Sequence, residues 1–340
     1  MNNPKAIKVF KNFDPRSYAP AIALFILSPL VAEVLLGSTP ISRLAGLLPI
    51  VMLYGGGAVF IRELVRRHGG GWSEIMLLAA AYALIEEGLV MQTLFNPILF
   101  NIGALGGRAL GVNWVYSEWV IGYHIVWSIS IPILLTEMLF PARSTRPWLG
   151  RIDVTVFGTI YVLGALALAF FFRNFIAPGF QAPVIDVVGV VVLIAILVVL
   201  GIKWPPSRHG DRHVTPDTRT PFPWTVGATS FFAASFWLGL LHLPGFLRKE
   251  PFSLIPMLLG IVLAAATIAV IRQWFRTESS STDVHRLALA FGALMASMLD
   301  GFFLVTAGNH LDQMGQGVIS LITIGMLLFF CWKLQKGEKK

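Results

Sequence analysis

Long apolar runs, separated by short polar stretches, form the main pattern along this chain. The hydrocarbon core of a bilayer is about 30 Å thick, and an α-helix of roughly 20 apolar residues crosses it. Because lipid offers no hydrogen-bond partners to the backbone, such a run is expected to be helical. The runs predict membrane-spanning helices at residues 19–37, 44–66, 73–95, 115–140, 153–173, 183–202, 223–243, 252–274, 284–306 and 317–334.

These runs predict an all-α fold, a polytopic transmembrane helical bundle of about ten helices with both termini cytoplasmic. Residues 96–114, which are Gly-rich and partly apolar, could form a loop that re-enters the membrane. The predicted regions are a cytoplasmic N-terminal segment (1–18), the first four transmembrane helices with the candidate polar site (19–145), two transmembrane helices (146–202), a cytoplasmic loop (203–222), and four transmembrane helices with a basic C-terminal tail (223–340).

Composition supports the membrane assignment. Hydrophobic residues make up 56% of the 340 positions and charged residues 13%, and the mean hydropathy is +0.73. A soluble domain carries about 25% charged residues, so nothing in the sequence supports a soluble domain of any size. The net charge of +8 comes from short basic pieces between apolar runs, and not from one basic face. We therefore expect the lipid bilayer as a partner and no nucleic acid.

The positions of the basic residues predict the orientation of the helices. Short cytoplasmic loops of membrane proteins collect Lys and Arg. With both termini inside, most of the 26 basic residues fall on the inner side, in the termini and in alternate loops. The sequence therefore predicts an integral multi-pass protein of the plasma (inner) membrane.

Ionisable residues inside the predicted helices are the main candidates for function. Each one costs roughly 2.5–3.5 kcal/mol on insertion and therefore needs an explanation. From the helical rise of 1.5 Å per residue, Glu33, Glu86 and His124 are predicted to lie at nearly the same depth. Glu87 follows Glu86 directly, and Asp300 lies in the ninth predicted helix.

Helical spacing predicts which polar side chains share a face with these groups. Residues at i, i+4 and i+7 lie on one side of an α-helix. One predicted stripe contains Tyr82, Glu86 and Thr93, and a second contains Ser117, His124 and Ser128. If the two stripes meet, carboxylate and imidazole groups share a buried pocket, which is an arrangement suited to activating water. The predicted catalytic residues are Glu86, Glu87 and His124, supported by Glu33, Tyr82, Ser128 and Asp300.

Adjacent glutamates on one helix, followed by a histidine on the next, resemble the CAAX-processing and bacteriocin-processing (CPBP) intramembrane protease family. The resemblance implies that Glu86 activates a water molecule, that Glu87 assists, and that His124 positions the water or the oxyanion. It covers about residues 73–130. The chain departs from the family pattern at Met91, where the family has Arg, and at Val120, where it has Phe.

A later helix of that family supplies a histidine and then an asparagine four residues apart. The corresponding position four residues before Asn174 is Phe170 in this chain.

Three functions are consistent with the sequence. The first is a glutamate/histidine intramembrane hydrolase that acts on a peptide or lipid bond of an unidentified membrane-embedded substrate. The second is a proton- or cation-coupled transporter, and the third is a non-catalytic scaffold or subunit of a complex. The transporter would use Glu33, Glu86, Glu87, His124 and Asp300. We favour the hydrolase, for which no cofactor and no metal are assigned.

Overall fold

The computed structural model describes residues 15–203, 221–241, 254–275, 283–306 and 308–338. Most of the predicted N-terminal segment, most of the predicted loop 203–222 and the last two residues of the C-terminal tail lie outside these ranges.

The described chain is almost entirely helical, as predicted. Its two short strands, β1 (Arg108–Ala109) and β2 (Val112–Asn113), form an antiparallel pair. The α-helices are α1 (Pro15–Pro29), α2 (Leu47–Arg67), α3 (Trp72–Leu84), α4 (Trp114–Tyr123), α5 (Ile131–Leu139), α6 (Arg151–Phe171), α7 (Val184–Lys203), α8 (Pro223–Gly239), α9 (Ile255–Trp274), α10 (Asp283–Asp300) and α11 (His310–Glu338).

Several helices contain or end in a π-helical segment, whose hydrogen bonds run from residue i to residue i+5. In chain order these segments are π1 (Leu30–Val34), π2 (Ile85–Val90), π3 (His124–Ser130), π4 (Phe172–Ile176) and π5 (Gly301–Val305). π3 joins α4 to α5, so that these three segments form one continuous crossing.

Eight of the described helical segments are long and apolar enough to cross a membrane. The two other predicted crossings are present as shorter or more charged helices. Residues 72–90, formed by α3 and π2, contain three glutamates, Glu74, Glu86 and Glu87, and α8 has 17 residues. The fold class predicted from the apolar runs, a multi-pass helical bundle, is confirmed.

The core of the molecule lies among the first four crossings. α2 packs against α1 and α6, and α3 packs against α7 and π3. In the most apolar part of Trp114–Leu139, 61% of the residues are buried, compared with 11% for α7 and 6% for α11. The outer helices therefore present most of their apolar surface to lipid, and the buried polar groups lie where protein covers them.

One prediction about the last helix is wrong. The apolar run predicts the last helix from residue 317, which would leave His310 and Asp312 in an outer loop. In the structure, α11 begins at His310. The Asp312 carboxylate accepts hydrogen bonds from the backbone N–H and the hydroxyl of Ser42, at 3.1 and 2.9 Å. These hydrogen bonds to another segment satisfy the polar side chain in the first turn of α11. Hydropathy does not detect such pairing, so the hydropathy pattern alone placed the start of the helix too late.

A buried ionic cluster joins α2, α5 and the segment between α5 and α6. The Arg62 guanidinium donates to Glu63 Oε1 at 2.8 Å and to Glu137 Oε1 at 3.1 Å, and the Trp148 ring lies 3.5 Å from the guanidinium carbon. The side chains of Arg62 and Glu63 are fully buried. In the sequence these groups lie at the ends of predicted helices, where local pairing or extension to the membrane surface is expected. The structure shows pairing inside the bundle.

Candidate functional site

The structure brings Glu86, Glu87 and His124 together in the core. His124 Nε2 lies 3.0 Å from Glu87 Oε1, and His124 Nδ1 lies 3.6 Å from Glu86 Oε2. The three residues are 1–2% exposed. The two faces predicted to carry carboxylate and imidazole therefore meet between π2 and π3.

π-Helical geometry explains how two adjacent glutamates reach one histidine. A π-helix has more residues per turn than an α-helix, so that successive side chains diverge by a smaller angle. Glu86 and Glu87 both lie in π2, and His124 and Ser128 both lie in π3. Glu33 lies in π1, so that three of the five π segments in the described chain carry residues of the predicted site.

The Glu87 carboxylate is held by several donors. Oε2 accepts hydrogen bonds from the Thr93 hydroxyl and from the Tyr116 hydroxyl, the second at 3.3 Å, while Oε1 contacts His124. Thr93 was predicted to share the stripe of Glu86, but it follows the end of the helix and contacts Glu87 instead. The helix ends after π2, so that the α-helical spacing used for that prediction does not extend to Thr93.

The Glu86 carboxylate has fewer hydrogen-bond partners than the Glu87 carboxylate. Among the described residues, its Oε2 atom has no hydrogen-bond partner, and the same is true of the Tyr82 hydroxyl one helical turn earlier. Both side chains are buried. The Tyr82 ring contacts the His124 ring edge-on, with centroids 5.8 Å apart. Buried polar atoms almost always have a partner, so this pair points to a place where water, an ion or a substrate group is bound.

Ser128 fixes the orientation of the histidine. Its hydroxyl lies 2.9 Å from His124 Nδ1, and its backbone carbonyl accepts a hydrogen bond of 2.7 Å from Ser28 in α1. Ser117, which is predicted to share this stripe, donates its hydroxyl hydrogen to the Asn113 carbonyl at the start of α4. The imidazole therefore has a different neighbour at each nitrogen.

Glu33 is connected to the cluster through a residue that the sequence analysis missed. Tyr54 in α2 donates a hydrogen bond of 2.6 Å to Glu33 Oε1, and its ring lies against the rings of His124 and Tyr82, with centroids 5.8 and 5.9 Å apart. Thr39 donates to the other oxygen of Glu33 at 2.7 Å. A single tyrosine in the middle of an otherwise apolar run was the available signal for Tyr54.

Asp300 occupies the edge of this region. It is the last residue of α10, it is partly buried, and it interacts electrostatically with the Tyr123 hydroxyl. That hydroxyl donates to the Ala32 carbonyl at 2.7 Å. Asp300 is therefore close to the residue that precedes His124, and its predicted supporting role stays a prediction.

Asn174, the residue compared with the CPBP asparagine, lies away from the cluster. It is exposed on π4, and its side-chain amide donates to the Phe170 carbonyl at 2.7 Å. Met91 caps the end of π2. The structure thus places no asparagine from α6 beside His124, and the resemblance to CPBP proteases stays a prediction.

The cluster can also offer ligands to a metal ion. One ligand atom each from Glu86, Glu87 and His124 can be chosen so that all three lie within 4.8 Å of one another. His209 and His213 have the i, i+4 spacing that could hold a metal on a helix, but Gly210 and the flanking prolines indicate a loop. Both histidines lie outside the described residues. The cluster was not predicted as a metal site because its ligands come from two different crossings.

Comparison with known proteins gives the family and no closer relative. No curated protein and no solved structure matches the chain. A family model matches residues 22–333, which includes all the predicted transmembrane helices except residues 19–21 of the first one and residue 334 of the last one. The chain therefore belongs to the family with the description "Uncharacterized membrane protein family".

Proposed function

We propose that this integral membrane protein is an intramembrane hydrolase that cleaves a peptide or lipid bond of a membrane-embedded substrate. Glu86 acts as the general base that takes a proton from water, and His124 positions that water or the developing oxyanion. Glu87 holds the imidazole. A buried carboxylate beside an imidazole is a common arrangement for such proton transfer.

The observation that supports this proposal best is the free oxygen of Glu86. Oε2 is buried, has no hydrogen-bond partner among the described residues, and lies 3.6 Å from His124 Nδ1. A water molecule placed there could donate one hydrogen bond to the carboxylate. Glu87, in contrast, already accepts hydrogen bonds at both of its oxygens. We therefore assign proton transfer to Glu86 and the positioning of the His124 imidazole to Glu87.

The site must open for this reaction. Glu86, Glu87 and His124 are nearly fully buried, and a partly open pocket of about 40 Å³, lined in part by His68, Glu74 and Gly201, lies elsewhere. We expect a substrate to separate helices around π2 and π3 and to admit water with it. Conformational opening on the microsecond to millisecond scale is common for gated active sites.

Hydrolysis can be tested with oxygen-18. The purified protein in lipid nanodiscs is incubated with a panel of transmembrane peptides and phospholipids in H₂¹⁸O, and products are analysed by mass spectrometry. Hydrolysis incorporates the label into a new carboxyl or phosphate group. We expect Glu86→Gln to lower the rate at least 100-fold, since general-base catalysis contributes roughly 10²–10⁴-fold.

The matched control for this experiment is Glu118→Gln. Glu118 lies in α4, half-buried, and accepts a hydrogen bond from the Trp237 indole N–H at 3.2 Å, outside the cluster. Its rate should stay within about twofold of the original, because a surface or peripheral change has little effect on a preorganised site. Equal rates for Glu86→Gln and the original protein would contradict the role of Glu86.

Proton-coupled transport is a second candidate, because the polar groups form a connected series. Glu33 contacts Tyr54, the Tyr54 ring contacts His124, and His124 contacts Glu87. Proton relays in transporters use such chains of acidic and histidine side chains. In liposomes with an internal pH dye, a transporter would move protons when a solute or cation gradient is imposed, and Glu87→Gln would abolish that movement.

A further inference from the structure

The candidate site carries more negative than positive charge. Glu33, Glu86 and Glu87 converge on the region, and among the described residues the only ion-pair partner of Glu86 and Glu87 is His124. No Lys or Arg in the described chain forms a salt bridge with any of the three carboxylates. Buried charge without compensation is costly, so the site must bind protons or a cation.

The geometry of the three nearest groups favours a cation. Glu86, Glu87 and His124 can each present one ligand atom within 4.8 Å of the other two. Metal–ligand bonds of about 2.0–2.2 Å place the ligand atoms around one ion roughly 3–4 Å apart. A small movement of Glu86 toward His124 is therefore enough to bring all three into the coordination shell. Its free Oε2 atom has no hydrogen bond to break among the described residues.

Neighbouring side chains hold two of these groups in the way that metal ligands are held. If His124 Nε2 binds the ion beside Glu87, then Nδ1 keeps its contact with the Ser128 hydroxyl at 2.9 Å. The second oxygen of Glu87 is held by Thr93 and Tyr116. Metal-binding histidines usually use their other nitrogen in this way, and such partners orient the ligands.

We infer that Glu86, Glu87 and His124 bind a divalent first-row transition-metal ion. One imidazole and two carboxylates form a ligand set that suits Zn²⁺ or Mn²⁺. The inference goes beyond the proposed function, because ion binding does not require hydrolysis. It is also compatible with it, since Glu86 can bind the ion through one oxygen and accept a proton at the other.

Metal content tests the inference directly. The full chain is purified in detergent with a tag that contains no histidine, stripped with EDTA, incubated with Zn²⁺ or Mn²⁺, and freed of excess metal. Bound metal is then measured by inductively coupled plasma mass spectrometry, and affinity by competition with a fluorescent chelator. We expect about one ion per chain for the original protein and at least a tenfold loss of affinity in Glu87→Gln and His124→Gln.

Two control variants separate this site from other ligands. Glu118→Gln removes a carboxyl group of α4 that lies outside the cluster, and His68→Gln removes an exposed imidazole. Both should bind the ion as the original protein does. Failure of the original protein to retain an ion, or equal affinity in the Glu87 and His124 variants, would overturn the inference.

Ser128→Ala provides a second test of the site if the ligand variants do not fold. It keeps all three ligands and removes the partner of His124 Nδ1, so that we expect a roughly 10- to 100-fold loss of affinity. Unchanged affinity in this variant would count against the proposed geometry. The experiment measures bound metal and not hydrolysis. A protein that retains the ion but hydrolyses no substrate would therefore contradict the proposed function and still support the metal site.

Discussion

Glu86 and Glu87 are neighbours in the sequence and have opposite surroundings. Glu87 is held by His124, Thr93 and Tyr116, whereas Glu86 Oε2 has no hydrogen-bond partner in the part of the chain that the structure describes. A side chain held by several hydrogen bonds is suited to position its neighbours. A side chain with an unused acceptor atom is suited to bind water, an ion or a substrate group. This difference is the basis for giving the two glutamates separate roles.

Gly57 provides the space for the Tyr82 ring. A Cβ atom at this position would lie 2.6 Å from Tyr82 Cε2. Gly57→Ala should therefore displace the ring and lower the free energy of unfolding by about 1–3 kcal/mol, as overpacked cores do. Thermal unfolding in detergent, followed by circular dichroism, measures this change.

Gly325→Ala is the control for Gly57→Ala. Gly325 also lies within a helix, but a Cβ atom there would meet nothing within 4 Å. This variant should keep or slightly raise the unfolding temperature, since alanine is the better helix former. A Gly57→Ala protein as stable as Gly325→Ala would show that the ring does not pack against this glycine.

At the scale of elements, the π segments are what the sequence could not predict. Depth and spacing correctly placed Glu86 and His124 on facing helices, because both depend only on a regular rise per residue. The same reasoning failed for Thr93, because the helix ends after π2. The hydroxyl of Ser117 donates to the Asn113 carbonyl, so its place on the stripe of His124 stays a prediction. A hydropathy pattern does not indicate where a helical turn contains the extra residue of a π-helix.

The ionic cluster at the end of α2 should be important for stability. Arg62→Met leaves Glu63 and Glu137 buried without their shared partner. Removing one member of a buried ion pair typically costs about 3–5 kcal/mol. Because Glu137 keeps Arg66 at 2.8 Å and Glu63 keeps the backbone N–H groups of Trp148 and Leu149, we expect a loss near the lower end of that range. Chemical unfolding in detergent micelles, monitored by tryptophan fluorescence, is a suitable measurement.

Arg286→Met provides the comparison for Arg62→Met. Arg286 pairs with Asp283 at 3.5 Å, and both side chains are more than 40% exposed. Exposed pairs contribute about 0–1 kcal/mol, so this variant should unfold almost as the original protein does. Similar losses in the two variants would mean that burial does not strengthen the Arg62 cluster.

For the whole molecule, the multi-pass helical bundle followed from length, hydropathy and composition, and eight of the ten predicted crossings are candidate membrane spans in the described chain. A membrane constrains helices more strongly than water does. The pairing of crossings did not follow, because most helices are apolar on all sides and offer no face that identifies a neighbour. Tyr54 illustrates this. Its role became visible only when α2 was placed beside Glu33 and His124.

The orientation in the membrane stays a prediction that labelling can test. In a Cys331→Ser background, Gln181→Cys lies between α6 and α7, on the predicted outer side, and Thr145→Cys lies on the predicted inner side; both positions are exposed. A membrane-impermeant maleimide should label residue 181 in intact cells, and residue 145 only after permeabilisation. The reverse pattern would invert the predicted topology.

The central claim is that Glu86, Glu87 and His124 form one site that binds a polar guest. The most direct measurement is an experimental structure in lipid nanodiscs, at a resolution that shows ordered water and ions. The account predicts density for a water molecule or an ion in contact with Glu86 Oε2. The same water molecule or ion should also contact His124. Glu86 turned toward lipid, or separated from His124 by packed apolar side chains, would contradict it.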